Sequence, residues 1–469
     1  MSNTKQSPSR SGAFDQAASP LAERFTQSID VDSRLYRHDI LGSIAHAKML
    51  AEIGLISRAE CEQIEQGLKS IEADIDNNNF PFSINLEDIH MHIEQALIER
   101  IGEAGRKLHT ARSRNDQVST AMRLWLRDQI DRSLELLHEL QSAFVERCER
   151  DAQIILPAYT HLQRAQPVLA PHYWLAYCEK FQRDRERLVG CRLRVNTSPL
   201  GCGAVAGTSL PIDRQYTATQ LGFDQVMRNS IDSSGDRDFV IEALYCWAHL
   251  GIHLSGWAEE WIIWASDEYS MLELPSAFCT GSSMMPQKIN PDVLELIRGK
   301  SSTLISSLQA LMILVKGLPT AYNRDLQEDK IHLFRAADTI LACLEIAIPI
   351  VRETRLKTEK LASRLGNGFV DATTLMEYLI KRGESMRTAH HRVGELVHLA
   401  RQSNCSLSQL KLEVFQQIDP TIDVSVYDVL GVENAVKAFC SFGSTGLEQV
   451  QFQVQAWRGR LATQRHPVD

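Results

Sequence analysis

Apolar residues recur at three- and four-residue steps through much of this chain. Between Ala121 and Val145, the residues Met122, Leu126, Ile130, Leu134, Leu137 and Phe144 form one stripe, with Arg, Asp and Glu between them. That is the period of an amphipathic helix. From Phe239 to Ala265 the apolar positions run nearly all the way round: Phe239, Val240, Ala243, Leu244, Trp247, Leu250, Leu254, Trp257, Trp261 and Ile262. The segment has no proline and predicts a long helix buried on most sides. Two more proline-free blocks, 292–318 and 320–348, are punctuated by Pro291 and Pro319, as helices should be. Strand-type alternation is scarce. The pattern predicts an all-α fold built on a long helical bundle. Helices apolar on several faces need more partners than one subunit supplies, and such burial stabilises by ~25 cal/mol per Å²; an obligate oligomer is expected.

With 469 residues, two or three domains are expected. Composition shifts near 105–113 and 350–370 divide the chain into a flexible polar arm (1–20), a helical domain (21–112), a central bundle (113–362) and a C-terminal helical domain (363–469). The first 20 residues are rich in Ser, Gln and Ala and lack the apolar run of a secretory signal. No stretch approaches the ~18 apolar residues of a membrane span, so a soluble, cytoplasmic protein is expected. A net charge of −9 argues against nucleic acid as a partner. Ten scattered cysteines without C-x-x-C or a His/Cys cluster read as buried free thiols in a reducing compartment, not as a disulfide framework or metal site.

Against that background, several polar segments stand out. Gly281-Ser-Ser-Met-Met-Pro-Gln-Lys-Ile-Asn-Pro291 carries two hydroxyls, a lysine and two amides, and its prolines keep it out of helix and sheet. It reads as a ligand loop. Glu87-Asp88-Ile89-His90 opens a helical segment, where acids are favoured. His109-Thr-Ala-Arg-Ser-Arg-Asn-Asp-Gln117 sets two arginines just before a long helix, either a solvated helix start or a carboxylate site. Tyr159-Thr-His-Leu-Gln-Arg-Ala-Gln-Pro167 contains one histidine, a type more often structural than catalytic. Ala321-Tyr-Asn-Arg-Asp-Leu-Gln-Glu-Asp-Lys330 is highly polar between two apolar blocks. The run Pro199-Leu-Gly-Cys-Gly-Ala-Val-Ala-Gly207 has no G-K-[ST] after it and reads as tight backbone packing, not a phosphate loop. No cofactor or metal motif is present.

In this order, these blocks closely resemble the argininosuccinate lyase branch of the fumarase/aspartase superfamily. The resemblance runs from about Phe25 to Ala389-His390-His391. It implies a three-domain fold whose central bundle forms a tetramer core. It also implies elimination of fumarate from argininosuccinate to give L-arginine, without cofactor, at sites shared between subunits. By resemblance, Ser282 is the base, His161 protonates the departing nitrogen, Lys288 steadies negative charge and Glu295 holds the imidazole; the opposite assignment of Ser282 and His161 stays open. Substrate contacts carried over are Ser28, Asn115, Thr160, Asn290, Tyr322, Gln327 and Lys330, with Asp88, His90 and Arg114 in second rank. The chain departs from the family pattern at Ala111 (usually Gly), Gly235 (usually Ser), Ile289 and Arg324 (each usually Lys), and in the element reduced to Ser11-Gly-Ala-Phe14. The alternatives are a lyase of the same branch acting on another N-succinyl amine, and an inactive crystallin-like structural homologue.

Overall fold

The structure, a computed structural model, describes residues 18–366 and 368–464. Residues 1–17, most of the expected polar arm together with Ser11–Phe14, lie outside the described residues.

Helices dominate, and strands occur among the described residues only as isolated pairs. In chain order, the elements used below are α1 (Tyr36–Glu52), α2 (Arg58–Asp76), α3 (Ile89–Ile101) and α4 (Arg114–Arg150), then the hairpin β1 (Ile155–Thr160) and β2 (Gln163–Leu169). There follow α5 (Ala170–Val195), α6 (Asp238–Ala265), the short pair β3 (Thr280–Gly281) and β4 (Ile289–Asn290), α7 (Asp292–Val315), α8 (Asp329–Glu353), α9 (Ala372–Lys381) and α10 (Met386–Gln402). The helical ends follow local chemistry. Ser57 and Glu60 form a reciprocal capping box at the start of α2. Asp88 caps α3 by accepting from the Met91 N–H at 2.7 Å. Gly317, at φ +82°, stands just past the end of α7.

Three details differ from the sequence pattern. Helix α8 begins at Asp329, not near 320, because Ala321 takes a left-handed conformation (φ +77°) and Arg324–Glu328 wind as a 3-10 turn. It then runs through Pro349 to Glu353; so near the helix end, the missing N–H disturbs only the last turn. The loop after Cys279 is not wholly irregular, since Gly281 pairs with Ile289 and Thr280 with Asn290. Both prolines stay outside that two-rung ladder.

The chain divides into two compact units: residues 1–133, 187–249 and 302–340, and residues 134–186, 250–301 and 341–469. Each of α4, α5, α6, α7 and α8 passes from one unit into the other. In the first unit, α1, α2 and α3 pack around Leu50, Ile64, Leu68 and Leu97, all buried. An added β-carbon at Gly67 would stand 2.6 Å from a Leu97 methyl, so a larger residue there would make the Leu97 side chain shift. In the second unit, Phe144 stacks on Tyr177 and Phe181, with Trp261 edge-on to Trp174. The Arg147 guanidinium lies 4.2 Å from the centre of the Trp174 ring, its charge met by Asp151 and the carbonyls of Val351 and Thr354. A separate C-terminal core gathers Leu375, Leu379, Leu396 and Phe415.

Trp247, Trp257 and Trp261 are fully buried within one copy of the chain. Much of the apolar surface of α6 is therefore covered within one copy, while Tyr245 and Ile252 remain exposed. Exposed apolar residues also occur on α7, where Leu296, Met312 and Ile313 are 60%, 53% and 69% exposed. Of the ten cysteines, seven are buried and none is disulfide-bonded.

Candidate active site

Seven of the residues picked from sequence come together in the first unit. Ser28, Asp88, Arg114, Asn115, Tyr322, Gln327 and Lys330 line a cavity of about 500 Å³, completed by Asp32, Glu87, Met91, Glu94, His109, Val118 and Arg324. A larger cavity of about 960 Å³ in the second unit is lined by none of the predicted residues; volume does not select the site.

The walls are fixed by short elements. Ser28 donates its hydroxyl to Asp32, one helical turn on, and its backbone N–H donates to the Glu87 carbonyl at 2.8 Å. Asp32 also accepts from the Ile89 N–H at 3.0 Å, tying the first wall to the start of α3. Arg114 donates to Glu94 (2.9 Å) and Gln117 (2.6 Å) and lies 3.6 Å from Asp88. Burial acts to lower the Arg114 pKa, but Asp88 and Glu94 outweigh it and hold the guanidinium firmly charged. Lys330 is buried and pairs with Asp329 at 3.1 Å; Asp329 also takes Arg237. Arg324, where the family pattern has lysine, bridges the Thr26 carbonyl (2.9 Å) and Glu87 (2.7 Å). Burial, reinforced by Arg112, pushes His109 down to about 4, so it is neutral at neutral pH. Burial raises the Tyr322 phenol.

His90 does not reach the cavity. It is buried, with Nδ1 2.8 Å from Asp39 and Nε2 without a hydrogen-bond partner among the described residues. Asp39 also accepts from Gln117 at 2.7 Å. Burial acts to raise the Asp39 acid, but His90 and Arg112 prevail and bring it to about 2. His90 thus supports the wall and is not among the residues that line this cavity.

The glycine-rich run is tight backbone, as its composition predicts. Gly201 and Gly203, both at positive φ, donate their N–H groups to Asp116 at 3.0 and 2.8 Å. Strain gathers near the site. Ala111, where the family pattern has glycine, sits at φ +59°, Glu87 at φ +57° and Ala321 at φ +77°. Non-glycine residues there carry ~1–3 kcal/mol each.

The remaining predicted residues lie in the second unit. Thr160 ends β1, and His161 with Leu162 forms the two-residue turn of the hairpin, both at positive φ (+54° and +57°). Turns of that hand match strand twist, and non-glycine residues adopt them at a cost. The imidazole is held at an exposed tip. Ser282 follows β3, and its Oγ accepts from the backbone N–H groups of Met284 (3.2 Å) and Met285 (3.0 Å). Lys288 is exposed on the same loop and Asn290 lies in β4. Glu295 is in the first turn of α7, with Arg298 at 3.9 Å.

Asp32, Glu94 and His109 were not picked out as site residues from sequence. Asp32 had a readable signal, since it stands four residues after Ser28 and so shares its helical face.

Comparison with known proteins places this architecture. The chain is similar to an EDDS lyase solved with formate (TM-score 0.83, 26% identity, 96% of this chain and 91% of that one). It shares a fold with the class II fumarase of Schistosoma mansoni (TM-score 0.71, 16% identity, 88% and 94%). These neighbours define a fumarase-type lyase fold. A lyase family model matches residues 12–305, and one for the argininosuccinate lyase C-terminal region matches 369–437. The argininosuccinate lyase of Rhodopirellula baltica is 57% identical over 97% of this chain and 99% of its own, and the chloroplastic one of Arabidopsis thaliana 47% over 96% and 87%. The chain belongs to the argininosuccinate lyase family.

Proposed function

We infer that the protein is an argininosuccinate lyase that eliminates fumarate from N-(L-arginino)succinate and releases L-arginine. Near-full-length identity to the Rhodopirellula baltica enzyme carries this reading. The mixed-charge cavity around Ser28, suited to a zwitterionic small molecule, supports it.

Elimination removes a proton from the carbon beside one carboxylate, and the C–N bond to the guanidino group then breaks. No electrons pass to an acceptor, so the step needs no redox cofactor. Ser282 takes the proton. A serine hydroxyl is a weak base until its alkoxide is stabilised, and the two N–H groups already directed at Ser282 Oγ suit that task, with Lys288 on the same loop. Negative charge gathering on the substrate carboxylate meets Lys288 and Asn290. His161 protonates the leaving nitrogen as general acid, and Glu295 orients it. Thr160 and the residues of the Ser28 cavity hold the rest of the substrate.

The cavity lining comes wholly from the first unit, while Thr160, His161, Ser282, Lys288, Asn290 and Glu295 belong to the second. We propose that complete sites are assembled from several copies in a homotetramer, with the exposed face of α7 taking part in assembly. The scattered, unpaired cysteines support a reducing, cytoplasmic setting.

Fumarate absorbance on adding argininosuccinate, beside adenylosuccinate, aspartate and malate, tests the substrate. Turnover of adenylosuccinate alone sinks it, and loss of activity with a chelator sinks cofactor independence. For shared sites, Lys330→Met in the first unit and Lys288→Met in the second are each inactive alone and regain activity when refolded together. Mixed tetramers without regained activity rule the model out.

A further inference from the structure

His161 sits at an exposed hairpin tip, on a turn of two non-glycine residues, yet a proton transfer needs its imidazole in one place. The tip must be held from its stem. In the register of the hairpin, Tyr159 stands opposite Arg164 and Thr160 opposite Gln163. Opposed residues share a face of the ladder and successive ones alternate. Tyr159 and Arg164 therefore face one way, Thr160 and Gln163 the other.

The Tyr159/Arg164 face is anchored. The Tyr159 ring lies 5.7 Å from that of Tyr269, and its hydroxyl donates to Met271 Sδ at 3.8 Å. The Arg164 guanidinium donates to the Arg364 carbonyl at 2.5 Å. Its Nε would lie 3.5 Å from a β-carbon added at Gly368, so Arg164 packs along that backbone. Arg364 is in the last turn of the helix Thr358–Gly366. The last carbonyls of a helix have no partner within it, and a basic side chain both satisfies them and meets the negative end of the helix dipole. Arg364 in turn donates to the carbonyls of Tyr269 (2.7 Å) and Glu268, and lies 5.3 Å from the centre of the Tyr269 ring. The contacts close on themselves, from Arg164 to Arg364, to Tyr269, to Tyr159 and back across the ladder. All of these residues belong to the second unit. Thr160 and Gln163 stay exposed on the opposite face, which leaves that face for substrate.

We propose that Arg164 is a positioning residue for the elimination. By capping the helix Thr358–Gly366 it fixes the hairpin stem and so sets where His161 presents its imidazole. The role rests on the reading of His161 as a proton-transferring residue, and it holds whether His161 acts as acid or as base.

Steady-state kinetics with argininosuccinate test the assignment. Arg164→Ala should lower kcat about 10- to 100-fold, the cost of a ~1 Å misplacement, with KM little changed. Arg164→Lys, which can still donate to the helix end, should recover part of that loss. In a His161→Asn background, Arg164→Ala should cause little further loss, whereas damage spread through the fold would lower both backgrounds by the same factor. Hydrogen exchange on the full-length protein reads the anchor itself: the amides of 155–169 should exchange faster in Arg164→Ala, and those around Phe415 in the C-terminal core should not. Arg364→Ala, which opens the loop of contacts at its far side, should lower kcat in the same way and serves if Arg164→Ala does not fold. Wild-type kcat or unchanged hairpin exchange in Arg164→Ala overturns the proposal, and so does an equal loss with and without His161. Near-normal kcat in His161→Asn refutes the reading of His161 and the proposal with it. A collapse in His161→Asn beside an unaffected Arg164→Ala refutes the role of Arg164 alone.

Discussion

Gly235 stands where the family pattern has serine, and the structure says what restoring that serine would do. A β-carbon built on Gly235 falls 2.5 Å from the Ala321 carbonyl oxygen and 2.8 Å from its carbon, whereas ordinary contact begins at 3.4 Å. The 321 turn must therefore retreat by about 0.5–0.9 Å, and it is poorly placed to do so. Ala321 is already left-handed, and the Asn323 amide clamps the turn by donating to the Pro319 and Ala321 carbonyls. Overpacking of this kind costs ~1–3 kcal/mol. The next residue, Tyr322, lines the cavity, and displacement of a positioning group by ~1 Å lowers rates by up to ~10²-fold. Gly235→Ser should lower kcat/KM for argininosuccinate about 10-fold or more, together with the thermal midpoint. Adding Ala321→Gly, which frees the turn to shift, should recover part of both, a coupling that a double-mutant cycle measures. Gly235→Ser with unchanged kcat/KM and midpoint, or a loss indifferent to Ala321→Gly, refutes the reasoning.

Ser282→Ala should reduce kcat by ~10²–10⁴-fold, the contribution of a positioned base, with KM nearly unchanged; near-normal kcat in steady-state assays would move the base elsewhere. Burial holds the Asp116 acid at about 6 against its ordinary 3.8, despite N–H bonds from Gly203, Gly201 and Ser113. Its raised value means that the stabilising contribution is fully present below 3.8 and is lost as pH rises through 6. Relative to Asp116→Asn, the wild-type protein should lose roughly 3 kcal/mol across that window, read from urea midpoints at several pH values; parallel curves would contradict it.

Much of the fold was legible because long helices advertise themselves. The stripe from Met122 to Phe144 lies within α4, and the apolar girdle of 239–265 became α6 with one residue added at its start. What periodicity could not show was backbone sign. Nothing in Tyr159–Pro167 signals a hairpin, since its turn is His161-Leu162 and not an Asn-Gly pair; the functional motif overrides local propensity there. The late start of α8 has the same origin in Ala321. The burial of three tryptophans inside one copy also lay beyond the pattern, because a moment reports which faces are apolar and not what covers them. At the site, the family resemblance brought in seven of the residues lining the Ser28 cavity. It did not bring in Glu94, which joins the wall by pairing with Arg114, because pairing is a property of distances between segments far apart in sequence. His90 shows the reverse: it sits in a motif, yet points inward to Asp39.

The passage of α4, α5, α6, α7 and α8 through both compact units has a consequence for biogenesis. Each unit is stitched from three separated stretches, the first closing only with residues 302–340 and the second only with 341–469. A ribosome thus has no finished unit to release early, since the last stretch of the first emerges when most of the chain has been made. Until then, the apolar faces of α4 and α6 wait for partners, a situation that favours off-pathway association. Truncation at either unit boundary would cut through the middle of helices, leaving no half that could persist alone.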